Sequence, residues 1–152
     1  MNDTTTVTAS RDISASAKDI FDLLSNPERH PETDASGMVR SLDQGQRIKA
    51  VGDTFRMNMT KEDGDYQTDN TVFAFVPDRA IGWKNERNLT ADVEVGAKWL
   101  WELEPVDANN TTVTLTYDIA DISDPKIIAM AKENFTADAL EGSLAILAEA
   151  VA

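Results

Sequence analysis

Three stretches in the middle of the chain place an apolar residue at every second position, and this alternation constrains the fold more than any other feature. Phe55, Met57 and Met59 share one side of residues 53–60, while Arg56 and Asn58 point the other way. Trp99, Trp101 and Leu103 repeat the pattern in residues 98–105, and Val113, Leu115 and Tyr117 repeat it in residues 112–117. A period of two is the repeat of a β-strand, so these segments describe an antiparallel sheet with one covered face. Further strands are expected at residues 5–13, with Val7, Ala9 and Ile13 inward, and at residues 38–42, 66–76 and 80–85. Turn-forming residues separate them at 61–65, 77–79 and 107–110.

The period changes to that of a helix near both ends. After the first strand, Ala17, Ile20, Phe21 and Leu24 fall at i, i+3, i+4 and i+7. Ser16 is placed to cap this short helix, and Asp19 stands where a capping box wants an acid. Asn26-Pro27 ends it, because proline removes a donor and pushes its predecessor away from helical angles. A polar loop containing Glu28-Arg-His-Pro-Glu-Thr-Asp34 is expected next. From Asp124-Pro125 the helical period returns, with Ile127, Ile128, Ala131, Phe135, Leu140, Leu144, Leu147 and Val151 forming one long apolar stripe. A break is expected near Asn134-Phe-Thr136, where Thr136 can cap a second segment, and Gly142 is a further weak point.

Composition narrows the function classes. The 152 residues suit one domain, spanning residues 1–152, able to bury roughly two thirds of its unfolded surface. With 14 basic and 27 acidic residues the net charge is −13, a surface that repels phosphate backbones and anionic headgroups. Nucleic acid is therefore not expected as a partner. No apolar run approaches the ~20 residues of a membrane helix, and residues 1–6 lack the basic and apolar regions of a signal peptide. Membrane insertion is thus not expected, and the expected location is cytoplasmic. Cysteine is absent, which removes disulfides, thiol nucleophiles and thiolate metal sites. Oligomeric state is not legible.

The segment from Ile13 to Ser36, with its capped helix and its His-Pro-Glu-x-Asp-x-Ser run at residues 30–36, resembles the start of the START/polyketide-cyclase-like (SRPBCC) superfamily, in a bacterial branch. Tyr66-Gln-Thr-Asp-Asn-Thr-Val72 and residues 99–105 also resemble that superfamily's strands. The resemblance covers nearly the whole chain and implies an α+β helix-grip fold. In it a curved antiparallel sheet of about six to seven strands wraps around a long C-terminal helix, with a short helix after strand 1. It also implies a pocket between sheet and helix. None of the matching motifs is a catalytic signature, and position 33, often large and apolar in such chains, is Thr33 here.

Candidate ligand-binding residues follow from the strand faces. Trp83, Trp99 and Trp101 would form a flat aromatic wall with indole donors at its rim, or simply core. Phe55, Met57 and Met59 would add an adaptable apolar surface, again shared with the core. Asn70 would orient a ligand carbonyl if it points inward, and Tyr117 and Phe135 complete the set. His30 is the only histidine, so a histidine-rich metal site is excluded. As a weak catalytic candidate it would pair with Glu32 or Asp34; otherwise it is a loop residue bonded to backbone or a neighbouring acid. Tyr66 is the other weak candidate. Glu62-Asp63-Gly64-Asp65 lacks the alternating ligands and distal glutamate of an EF-hand and reads as a solvated hairpin, so no metal is expected. No nucleophile elbow, phosphate loop, zinc motif or dinucleotide fingerprint is present, and no cofactor is expected.

Three function classes remain open. The leading one is a protein that binds a hydrophobic small molecule, lipid-like or polyketide-like, in the implied pocket. The second is a cyclase, dehydratase or aromatase, in which cavity shape preorganises one folded chain and His30, Tyr66 or an acid moves a proton. The third is an interaction module for a protein partner, which the acidic surface would suit if that partner were basic.

Overall fold

The computed structural model describes residues 5–61 and 64–152. Of the turn expected at 61–65, Glu62 and Asp63 lie outside the described residues. Among the described residues, eight strands form one antiparallel sheet: β1 Thr6–Ile13, β2 Val39–Gln44, β3 Thr54–Lys61, β4 Gly64–Val76, β5 Ala80–Asn88, β6 Val93–Glu94, β7 Lys98–Asp107 and β8 Asn110–Asp118. Their order is β1-β8-β7-β5-β4-β3-β2, with the short β6 attached to β5. Every strand expected from the sequence is present with ends moved by a few residues; β6 was not foreseen, since two residues carry no period.

Alternation decides which face is covered. Ile81 and Trp83 of β5, Trp101 and Leu103 of β7, and Val113, Leu115 and Tyr117 of β8 are all buried on the concave face. The intervening residues face outward, where Thr8, Ser10 and Asp12 of β1 bond Thr116, Thr114 and Thr112 of β8 side chain to side chain. Arg56 also lies on the outer face, paired with Asp69 at 2.8 Å. Register slips in the β2–β3, β4–β5 and β7–β8 pairs are the irregularities that let the sheet bend around its contents.

The first helix, α1 (Ala17–Leu24), starts where Ser16 Oγ accepts from Asp19 N at 3.1 Å, and it buries Ala17, Ile20, Phe21, Leu23 and Leu24. Arg47 Nη1 donates to Asp22 O and Ser25 Oγ, and Ile48 N donates to Ser25 O, tying the β2–β3 connection to the helix end. The polar loop expected next is instead a 3-10 helix, Pro27–Thr33. Asn26 caps it through Glu28 N, Pro27 opens it, and Thr33 Oγ1 donates to His30 O at 2.9 Å. Two prolines fix φ at helical values, and these local bonds do the rest.

The C-terminal stripe divides at the position where a break was expected. α2 (Pro125–Asn134) begins at the Asp124 cap, and α3 (Ala137–Ala150) begins at Thr136, whose Oγ1 accepts from Ala139 N. Phe135 is the joint between them. α3 sinks Leu140, Leu144 and Leu147 completely into the concave face, while α2 buries only Ala131. Gly142 remains helical inside α3; a side chain there would press on Ala35, so its absence lets the segment after the 3-10 helix lie close.

Candidate functional site

The helices do not fill the concave face. A cavity of about 230 Å³ remains between the sheet, the 3-10 helix and the α2–α3 joint. The strands deliver to it the residues their alternation turns inward, joined by Asn88, which comes in past the slip in the β4–β5 register. β3 supplies Phe55, Met57 and Met59; β4 supplies Tyr66, Thr68 and Asn70; β5 supplies Trp83, Asn85 and Asn88; β7 supplies Trp99 and Trp101; β8 supplies Tyr117. His30 and Thr33 enter from the 3-10 helix, Ile127 and Met130 from α2, and Phe135 from the joint. Every candidate ligand-binding residue and both candidate catalytic residues, His30 and Tyr66, therefore line this one cavity, whereas Glu32 does not. Asn85, Asn88, Ile127 and Met130 were not singled out. Asn85 is two residues beyond Trp83, so the strand period already carried it; Met130 stands one turn after Ile127 on the helical stripe.

Aromatic rings form two groups. Trp99, Tyr117 and Phe135 meet with centroids 4.3–5.1 Å apart. His30 stacks on Trp83 at 4.4 Å with 17° between planes, and Phe55 meets both rings edge-on. Such contacts lock the rings and give the cavity fixed walls.

Polar groups in the wall are largely satisfied by one another. Trp99 Nε1 donates to Asn85 Oδ1 at 3.0 Å, Asn85 Nδ2 donates to Asn70 Oδ1 at 2.6 Å, and Asn70 Nδ2 reaches the carbonyls of Phe55 and Thr68. Asn70 thus points inward, but its amide is engaged by protein. Gly96, at φ +107°, makes the turn that lets Gly96 N bond Asn85 O; a side chain there would meet Asp121 O at 2.9 Å.

His30 does not form the acid pair that a catalytic reading would use. Glu32 is held by Arg29 at 2.9 and 3.0 Å, and Asp34 accepts from Ser36 and from Val39 N. His30 Nε2 instead lies 2.8 Å from Leu24 O. Packing of the 3-10 helix turns the ring inward, onto Trp83. Burial pushes its pKa down to about 4, against a smaller upward pull from the Leu24 carbonyl. Burial also pushes the Tyr117 phenol well above its ordinary range, with Tyr66 adding to it, and raises Tyr66 with help from Asp34. At neutral pH His30, Tyr66 and Tyr117 are therefore uncharged, and the charged residues of the lining are Asp34 and Lys61. Among the described residues no cluster of three His, Asp or Glu side chains could hold a metal ion, and no helix is long and apolar enough to cross a membrane.

The family described as "Polyketide cyclase / dehydrase and lipid transport" matches residues 4–152. The chain belongs to that family. The uncharacterized protein Rv0088 of Mycobacterium tuberculosis is 30% identical over 112 residues, covering 74% of this chain and 46% of that protein. The chain therefore spans less than half the length of this relative. Protein NE0264 from Nitrosomonas europaea superimposes with a TM-score of 0.71 at 12% identity, over 98% of this chain and 95% of that one. A START superfamily protein from Mycobacterium smegmatis gives 0.67 at 15% identity, over 96% of each chain. These structures share the helix-grip fold: an open antiparallel sheet closed by C-terminal helices.

Proposed function

We propose that this chain binds an uncharged, mainly apolar small molecule in the cavity between the sheet and the α2–α3 joint. The observation that carries the reading is a cavity walled by two ring clusters and methionines, with its amides already paired among themselves. Apolar surface gives such a site its affinity, and a charged ligand would meet only the part-exposed Asp34 and the exposed Lys61, with no counter-charge buried among the rings. At about 230 Å³ the cavity suits one or two fused rings or a short chain, and a longer ligand would need α2 to move. A proton-transfer role for His30 fits poorly: a base with a pKa near 4 is mostly unsuited to work near pH 7.

Native mass spectrometry of the purified protein, with chromatography of its organic extract, tests the reading. A discrete added mass matching an extracted neutral compound is the expected outcome. A bare chain that also fails to take up small aromatic hydrocarbons at millimolar concentration would sink it.

A further inference from the structure

The sheet register sorts the cavity wall into successive rows. Trp83 pairs with Trp99, and Trp99 with Tyr117, so these rings form one row across β5, β7 and β8. Val72 of β4 continues that row beside Trp83, the next holds Asn70 opposite Asn85, and the one after it holds Thr68 opposite Asn88. Tyr66, opposite Met59, follows. Same-face residues on a strand are spaced roughly 7 Å apart, so β4 carries the wall from the rings to Tyr66 over roughly 20 Å.

The rows differ in what their polar groups lack. Asn70 and Asn85 bond each other, the Trp99 indole and two carbonyls. Thr68 and Asn88 are 6% and 8% exposed and line the cavity, yet neither Thr68 Oγ1 nor Asn88 Nδ2 has a hydrogen-bond partner among the described residues. Neither atom is fully enclosed, so the space they meet is the cavity. Ala91 N donates to Asn88 Oδ1 at 3.0 Å, which fixes the amide and leaves Nδ2 to donate. Directly opposed residues on one face hold their Cβ atoms about 4.5–5.5 Å apart, so hydroxyl and amide can both reach one atom set between them. A hydrocarbon there would strand both donors.

The charged residues of the lining flank Tyr66, one row beyond this pair. Lys61 is exposed, with Nζ 5.2 Å from the centre of the Tyr66 ring. Asp34 is part-exposed, accepts from Ser36 and from Val39 N, and acts on the Tyr66 phenol. One charge of each sign favours neither ion, and the net charge of −13 opposes an approaching anion. The group that suits Thr68 and Asn88 is therefore a neutral acceptor.

We propose that Thr68 Oγ1 and Asn88 Nδ2 form a donor pair for the carbonyl oxygen of a neutral ligand (a ketone, ester or amide) whose ring or chain extends toward Trp99 and Tyr117. This rests on the cavity being a ligand site and adds the class and direction of the ligand. A carbonyl fits better than a hydroxyl, because its oxygen has two lone pairs and no proton to place, and both wall groups can donate.

Benzylacetone places a ketone two carbons from a phenyl ring. Two compounds of the same shape complete the set: the hydrocarbon with a terminal methylene in place of the carbonyl oxygen, and hydrocinnamate, with a carboxylate. Binding at pH 7 is followed by tryptophan fluorescence, since Trp83, Trp99 and Trp101 line the cavity. Thr68→Val keeps the strand and removes the hydroxyl; Asn88→Asp keeps an oxygen for Ala91 N and removes the donor. Thr68→Val is expected to weaken benzylacetone about fivefold, as loss of one hydrogen bond does, while the hydrocarbon binds as well or better. Asn88→Asp should weaken it further, since an acceptor then faces an acceptor; Thr68→Val remains a fair test should that variant fail to fold. In infrared difference spectra the bound ketone's carbonyl stretch should fall below its value in hexane, and rise again in Thr68→Val. Equal responses of ketone and hydrocarbon to the variants, with the stretch unshifted, overturn the carbonyl assignment and leave the cavity reading intact. Hydrocinnamate binding tighter than benzylacetone, and losing that lead in Lys61→Met, also overturns it, since Lys61 would then read the polar end. Binding of none of the three overturns the cavity reading itself.

Discussion

His30 shows how one buried residue ties stability to pH. The ring is neutral in the fold, with its pKa near 4, whereas an unfolded histidine titrates near 6.5. As pH falls below about 6.5 the unfolded chain takes up a proton that the folded chain refuses, so stability drops; below about 4 both states are protonated and the loss stops. The whole effect is roughly 3 kcal/mol. His30→Gln keeps an N–H donor for Leu24 O but cannot titrate. Urea unfolding at pH 7 and pH 4 should show the wild type losing roughly 3 kcal/mol more than the variant. A gap between the two proteins that does not change with pH would show that His30 is not protected from protonation. Asn85 tests the amide network in the same way. Replacing it with Ala strands Trp99 Nε1 and Asn70 Oδ1 together, and an expected loss of about 2–3 kcal/mol follows from leaving two part-buried groups unpaired. Loss of less than about 0.5 kcal/mol would mean that water replaces the amide freely.

Between elements, α2 differs from its neighbours in how little holds it. Ala131 is its one buried residue, Met130 is 36% exposed, and Ile127 and Met130 lie on the cavity wall. α3, by contrast, is anchored by three fully buried leucines. Helical stability in a fold comes mainly from the packed face, so α2 should open first. Amide hydrogen exchange is expected to be at least about tenfold faster in residues 126–134 than in residues 140–148, and to slow in α2 when the cavity is filled. Equal protection in both helices would rule out α2 as the movable wall. This element also marks where the sequence stopped being legible. The stripe, the Thr136 cap and the break near Phe135 could all be read directly, because each is a local signal. The 3-10 helix was not read: its prolines looked like loop formers, whereas with the Asn26 cap, the Thr33–His30 bond and packing against α3 and β2 they make residues 27–33 regular. His30 was therefore placed with its sequence neighbours Glu32 and Asp34, while the fold turns it onto Trp83, more than fifty positions away.

At the scale of the molecule, the strand faces were legible because a period of two is set by the backbone itself, and the wall residues on β3, β7 and β8, with Trp83 and Asn85 on β5, followed from it; Asn88, out of phase past the slip in the β4–β5 register, did not. The sheet order was not, since nothing local says that β1 lies beside β8. The charge balance belongs to this scale too. Six ion pairs are described, all with partly or largely exposed side chains, and exposed pairs contribute little each. Against them stands a net charge of −13, which the compact state concentrates and the unfolded chain spreads. Salt screens both, but repulsion acts across the whole surface while each pair acts over one contact, so screening should favour the fold. Raising sodium chloride from about 20 to 200 mM, which shortens the Debye length from ~20 Å to ~7 Å, should stabilise the protein by about 1 kcal/mol. For a chain of this size that is a rise in melting temperature of about 2–4 °C, measurable by thermal unfolding at pH 7. A fall in melting temperature with salt would show that the pairs around Asp121, Asp69 and Asp92 outweigh the repulsion, and that the acidic surface is patterned rather than merely charged.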